Sequence, residues 1–350
     1  MIKRRQFINL TALLSASVAF PSLSPNTNNT TFNTPKLLAK RLKKGNTIGL
    51  IAPGYAVKPE ILERMKETLV EIGFVPFHTD RIHGNHGYFS NTDEERAADL
   101  NEMFKNPKID AILCARGGYG CTRIMQMIDY ENIKTNPKIL VGFSDITALL
   151  NGIYKETGLI TFHGPVGSTL TDEYSKQQFS NVLTSPKYPK TITNVVLQDK
   201  KMIEDPVYDR YTIIPGQATG KLVGGSLTLI NALIGTPHEI DFTNAIVCIE
   251  DVEEAPYRID RMLTQLIEGP TFKKAKGIVF GVCAGCNSNS SSNSFTLKEV
   301  IMDRVAPLNI PAAYGMSFGH VPNNFTFPIG INAKWDADKM TLKLLEKMIF

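Results

Sequence analysis

The sequence reads as an α/β protein: a Rossmann-like parallel sheet sandwiched by helices, followed by a second, strand-rich α/β domain. Two observations predict this. Between about residues 46 and 167, short apolar runs alternate with amphipathic helical patterns, and that alternation builds parallel sheets covered on both faces. From about Gly216 strand patterns dominate, interrupted by helical patterns at 227–234 and 257–268. At 350 residues the chain is long enough for two cores.

Residues 47–52 read as the first strand. Residues 59–72 follow as a helix with Ile61, Met65 and Leu69 on one side. Thr92 caps the next helix, and Glu95, three residues on, completes a capping box. Apolar runs at 109–115, 139–142 and 159–162 supply further strands. Residues 168–215 are polar and weakly periodic, which reads as a connection between domains. The expected division is therefore 45–167, 168–215 and 216–350.

The first 44 residues stand apart. Arg4-Arg5 followed by Gln6-Phe7-Ile8 matches a twin-arginine export signal, expected over residues 1–24. The mildly apolar run 8–20 contains Asn9, Thr11, Ser15 and Ser17, and is too short and too polar to span a bilayer. Residues 25–44 read as a disordered spacer. The expected location is thus outside the cytoplasm, in the periplasm, without stable membrane insertion. Five cysteines leave at least one unpaired. Cys283 and Cys286 have no second cysteine pair or clustered histidine to complete a zinc site, so buried thiols are expected.

Composition excludes several classes. With 43% hydrophobic and 21% charged residues the chain is of ordinary globular make-up. Its net charge of +4 is spread out, and no basic–aromatic interleaving suggests a nucleic-acid partner. The turn after Ala115, Arg116-Gly117-Gly118-Tyr119-Gly120, is not a phosphate loop, because no Gly-Lys-Ser/Thr follows.

Three residues are candidates for the chemistry. Ile139 to Gly142 form a strand, and Ile146, Leu149, Leu150 and Ile153 recur at helical spacing, so Ser144 sits at a strand-to-helix junction. The N–H of Asp145 and the helix dipole lie beside a serine so placed, where an oxyanion forms when it attacks a carbonyl. Gly-x-Ser-x-Gly is not matched, since Ile146 replaces the second glycine. Glu250 ends an apolar strand in the same way, with Glu253 and Glu254 as neighbouring candidates for the acid. His320 lies on a loop between two short strands, exposed enough to titrate, and is the candidate base. Gly117 or Gly118 lets the backbone approach a ligand and donate a second oxyanion N–H.

Together these segments resemble the LD-carboxypeptidase family of serine peptidases, which also holds the microcin C immunity peptidases. The likeness runs through residues 51–54, 96–101, 115–120, 142–148, 163–165, 224–228, 250–261 and 319–320. It implies a triad of Ser144, Glu250 and His320, with oxyanion donors at Asp145 and at Gly117 or Gly118. It also implies a barrel-like, mixed second domain, with the active site between the two domains. The implied reaction is removal of the C-terminal D-Ala from a peptidoglycan tetrapeptide (a muropeptide), without metal or cofactor, by a homodimer. Arg116 is a candidate for binding substrate. Ser226 departs from the pattern, since many relatives carry Asn there. An amidase acting on peptidyl- or aminoacyl-nucleotide toxins is the alternative within the fold. A non-catalytic muropeptide-binding module is the alternative outside catalysis.

Overall fold

The computed structural model describes residues 35–185, 187–287 and 293–350. The twin-arginine segment and the spacer up to residue 34 lie outside the described residues. The first sheet begins with β1 (Thr47–Ile51), α1 (Pro59–Glu71), β2 (Val75–Phe77) and α2 (Asp93–Lys105). It continues with β3 (Ala111–Cys114), the short α3 (Cys121–Ile124) and α4 (Tyr130–Thr135), then β4 (Ile139–Gly142), α5 (Thr147–Thr157) and β5 (Thr161–His163). The Thr92–Glu95 capping box is formed as expected.

Beyond these come α6 (Glu173–Thr184), β6 (Lys190–Thr193), α7 (Lys200–Glu204) and β7 (Tyr211–Ile214). Next are β8 (Gln217–Ser226), α8 (Leu227–Ala232), β9 (Ala245–Glu250), α9 (Pro256–Glu268) and β10 (Gly277–Phe280). The chain closes with α10 (Leu297–Val305), β11 (Ala312–Tyr314), β12 (Phe327–Ile329), β13 (Asn332–Asp336) and β14 (Thr341–Leu344).

The first sheet has the order β12-β5-β4-β3-β1-β2. Its first five strands in sequence are parallel. Strands β3 and β4 are buried along their whole length, as central parallel strands with both faces covered should be. After β1 the chain moves outward to β2, then returns to β3 on the other side, so the loops leaving β1 and β3 diverge. A crevice opens at such a reversal, beyond the carboxyl ends of the strands.

The second sheet is mixed, as the resemblance implies, with the order β6-β14-β13-β8-β9-β10-β11-β7. It is open rather than closed into a barrel, because its end strands β6 and β7 do not pair with each other. Strands β8 to β11 run parallel, and β7, β13, β14 and β6 pair antiparallel. Two findings differ from the division read in the sequence. The stretch 168–215 is more than a connection, because it supplies both end strands, β6 and β7. Their half-exposed alternation, with one fully buried residue in each, hides the strand signal in a polar composition. In turn β12, from the C-terminal part, crosses back to pair with β5 of the first sheet.

The end of the spacer is also packed. Leu37 bridges to Leu159 and Ala39 to Ile349, and Leu42 is buried. Leu37, Ala39 and Leu42 supply an apolar side to an otherwise lysine-rich stretch. Among the described residues no helix is long and apolar enough to cross a membrane.

The two sheets are joined through α5. The Asn151 side chain donates to the Gly224 carbonyl at 2.9 Å and accepts from its N–H at 3.1 Å. Thr147 accepts from the Ser226 N–H at 3.0 Å. Since Ser226 pairs with Glu250 in the β8–β9 register, the helix that follows Ser144 is tied, one strand away, to the strand that ends in Glu250.

Candidate active site

Ser144 follows β4 and has φ 64°, a left-handed backbone uncommon outside glycine. A single 3₁₀ turn then leads into α5. Gly142 makes this bend feasible, since a Cβ there would stand 2.7 Å from Ile146. The Ser144 hydroxyl donates to His320 Nε2 at 2.9 Å. His320 Nδ1–H donates in turn to Glu250 Oε2 at 2.8 Å. The carboxylate fixes the tautomer, so that Nε2 is the nitrogen free to accept a proton. Thus Ser144, His320 and Glu250, separated by up to 176 positions, form one relay.

Glu250 is wholly buried, whereas the His320 side chain is 21% exposed. Burial opposes the charged imidazolium of His320, but the attraction and hydrogen bond of Glu250, with Asp251 and Glu253 adding, outweigh it. The His320 pKa is therefore raised above 6.5. Of the other candidates for the acid, Glu254 pairs with Arg258 at 3.3 Å, and Glu253 lines the cleft. Burial and the nearby Glu250 charge push Asp251 up to about 6. Its carboxylate accepts from Thr228 N–H at 2.7 Å and from the Thr228 hydroxyl at 2.9 Å.

The glycine turn after β3 lies against the serine. A Cβ on Gly117 would stand 3.1 Å from Ser144 Oγ and 3.3 Å from the Asp145 nitrogen. The N–H groups of Gly117, Gly118 and Asp145 have no acceptor among the described residues. Gly118 has φ 116°, and a side chain there would run into the Tyr55 ring. Three contacts hold the turn. Its Gly117 carbonyl accepts from Tyr55 N–H at 3.2 Å, the buried Arg96 donates to the Gly120 carbonyl at 3.1 Å, and Asp145 accepts from Cys121 N–H at 2.9 Å. The role of the Asp145 carboxylate was not legible in the sequence, because its partner is a backbone group 24 positions away.

Serine, histidine and turn open onto a cleft of about 730 Å³, also lined by Tyr55, Lys58, Ile61, Val166, Ser168 and Val252. Arg116 lines it too. Its guanidinium donates to the Ala56 carbonyl at 3.3 Å and lies 5.4 Å from the Tyr55 ring centre, with no carboxylate partner among the described residues. Tyr55 carried no sequence signal beyond following Ala52-Pro53-Gly54; the reversal between β1 and β3 brings it here. All five cysteines are buried and free, and burial raises the Cys286 thiol to about 12. Among the described residues no cluster of three or more His, Cys, Asp or Glu side chains is arranged to hold a metal ion.

Residues 48–164 match the LD-carboxypeptidase N-terminal domain, and residues 219–335 match the C-terminal domain. The chain belongs to the LD-carboxypeptidase family. Within the family it is 37% identical over 305 residues to a probable murein peptide carboxypeptidase of Bacillus subtilis, covering 86% of this chain and 92% of that one. Two solved structures extend the likeness. MccF in complex with glutamyl sulfamoyl guanosine superposes with a TM-score of 0.81 at 26% identity, covering 90% of this chain and all of that one. A muramoyltetrapeptide carboxypeptidase from Oxalobacter formigenes gives a TM-score of 0.74 at 26% identity, covering 87% and 100%. This LD-carboxypeptidase is a serine-type peptidase.

Proposed function

We propose that the protein removes the C-terminal D-Ala from peptidoglycan tetrapeptides. The observation that carries this reading is the unbroken hydrogen-bonded series from Ser144 through His320 to Glu250, beside three N–H groups that have no acceptor among the described residues. The likeness to murein and muramoyltetrapeptide carboxypeptidases supplies the substrate class.

Ser144 Oγ attacks the carbonyl of the third residue while His320 Nε2 takes its proton. The N–H of Asp145 and that of Gly117 or Gly118 stabilise the tetrahedral oxyanion. Collapse breaks the C–N bond, and the His320 proton passes to the departing D-Ala amine. Water, activated by the same imidazole, then hydrolyses the acyl-enzyme. Glu250 holds the tautomer and stabilises the imidazolium. Arg116, whose charge lacks an acidic partner among the described residues, takes the terminal carboxylate.

The test is mass spectrometry of a diaminopimelate-containing muropeptide tetrapeptide incubated with the protein and with Ser144→Ala. The wild type is expected to remove one alanine mass, and Ser144→Ala to be slower by at least about a thousandfold. Activity of the variant within tenfold of wild type excludes Ser144 as nucleophile.

Similarity to MccF favours a second substrate, an aminoacyl-nucleotide amide cut by the same chemistry. Including a glutamyl sulfamoyl nucleoside in the assay separates the two. The Arg4-Arg5 pattern supports export to the periplasm by the twin-arginine route, to be checked by cell fractionation. A homodimer is the expected assembly, to be checked by sedimentation.

A further inference from the structure

An aromatic terrace adjoins the cleft through Tyr55. Tyr55, which lines the cleft, has its ring centre 5.9 Å from that of Tyr88, and Tyr88 is 5.9 Å from Tyr119. Tyr88 is 57% exposed and Tyr119 45%, so two neighbouring rings present their faces to solvent. They are not loose. Both pack on Phe89, at 4.4 and 5.8 Å. Phe89 is itself buried, with the Arg96 guanidinium 4.5 Å and the Arg123 guanidinium 5.2 Å from its ring centre. The Tyr55–Phe89 and His86–Phe89 bridges and the Ser90 N–H bond to the Gly54 carbonyl fix the backbone below. The surface is therefore rigid and ready to receive a flat, partly apolar ring at little entropic cost. Exposed tyrosines offer such a ring an apolar face together with a hydroxyl.

What the terrace would hold follows from the reading above, on which this inference rests. The tetrapeptide of a muramoyl substrate is attached to an amino sugar, whose ring has an apolar C–H face and a polar rim. Three extended residues separate the scissile bond from that sugar, a reach of roughly 10 Å. The terrace begins where Tyr55 meets Gly118, next to the Ser144 turn, and continues through two ring-to-ring steps of 5.9 Å. The scales agree. We propose that Tyr88 and Tyr119, continued into the cleft by Tyr55, form a platform for the amino-sugar ring that carries the substrate peptide. The enzyme then prefers sugar-linked peptide to free peptide.

The test compares kcat/KM for N-acetylmuramoyl-tetrapeptide and for the free tetrapeptide, in wild type, Tyr88→Ala, Tyr119→Ala and Tyr88→Phe. Wild type is expected to favour the sugar-linked peptide by about tenfold or more, and each Ala variant to bring the ratio within about twofold, chiefly through KM. Tyr88→Phe, which keeps the ring face, retains most of the preference. Thermal melts check folding, and Tyr88→Leu replaces Tyr88→Ala if the latter unfolds. Equal rates on the two peptides in wild type, or variants that slow both by the same factor, overturn the platform alone. So does a variant that dissociates a dimer with the ratio intact, because the surface is then an interface between copies. Release of alanine from neither peptide overturns the carboxypeptidase reading, and the platform with it.

Discussion

At the scale of single residues, the site depends on a serine held where serines seldom sit. A left-handed φ of 64° costs Ser144 about 1–3 kcal/mol, and in return Oγ is turned toward His320 at 2.9 Å. The strand–serine–helix junction was legible in the sequence, but the backbone angle was not, because it depends on Gly142 and on the turn packed against Ser144. Glu250 was legible only as one of several acids. Its selection over Glu253 and Glu254 is a matter of which carboxylate reaches His320. His320 must be neutral to act as base, and its pKa is raised, so kcat/KM should rise with pH along a limb centred above 6.5. In Glu250→Gln the raising charge is gone and burial remains. That limb should move to lower pH while the plateau falls at least about a hundredfold. A pH–rate profile of both proteins checks this, and an unmoved limb removes Glu250 as the partner of His320.

At the scale of elements, the site is two loop ends pressed together and one helix spanning two sheets. The turn after β3 approaches Ser144 so closely that a methyl group on Gly117 would stand 3.0 Å from Ser144 Cβ. Gly117→Ala should leave the fold intact and lower kcat by about tenfold or more, through displacement of the nucleophile. Circular dichroism beside single-turnover kinetics tests this, and unchanged kcat shows that the turn yields freely. The second device is the Asn151 pair with Gly224. Asn151→Leu leaves both Gly224 backbone groups without their partner in a buried setting, at a cost of about 2–4 kcal/mol. Denaturant unfolding should show that loss, with kcat reduced as well, because α5 and β8 link Ser144 to Glu250. Helix α5 was predicted from its apolar spacing, but nothing in that spacing reveals that polar Asn151 faces another sheet.

At the scale of the whole molecule, the core carries a titratable group whose burial predicts a stability that falls in acid. His163, at the end of β5, is fully buried, stacks on Phe327 at 4.6 Å, and meets Phe318 and Phe143 edge-on. Burial lowers its pKa from 6.5 to about 4. A depressed pKa gives stability that is whole above 6.5, where neither state binds the proton. It is lost as pH falls toward 4, because the unfolded chain protonates first. The loss is about 3 kcal/mol. His163→Phe should flatten that part of the curve, as thermal melts at pH 7 and pH 4.5 would show; identical slopes in the two proteins would contradict it. By itself the sequence determined the parallel first sheet, the strand ends bearing Ser144 and Glu250, the histidine loop and the glycine turn, because each is written in local periodicity and turn chemistry. Only the tertiary structure decided that β6 and β7 close the ends of the second sheet, that β12 returns to the first, and that Asp145 grips the turn. It also decided which acid faces His320 and that Tyr55, Tyr88 and Tyr119 meet. These are pairings across tens to hundreds of residues, set by which surfaces bury together, and no local pattern of residues encodes them.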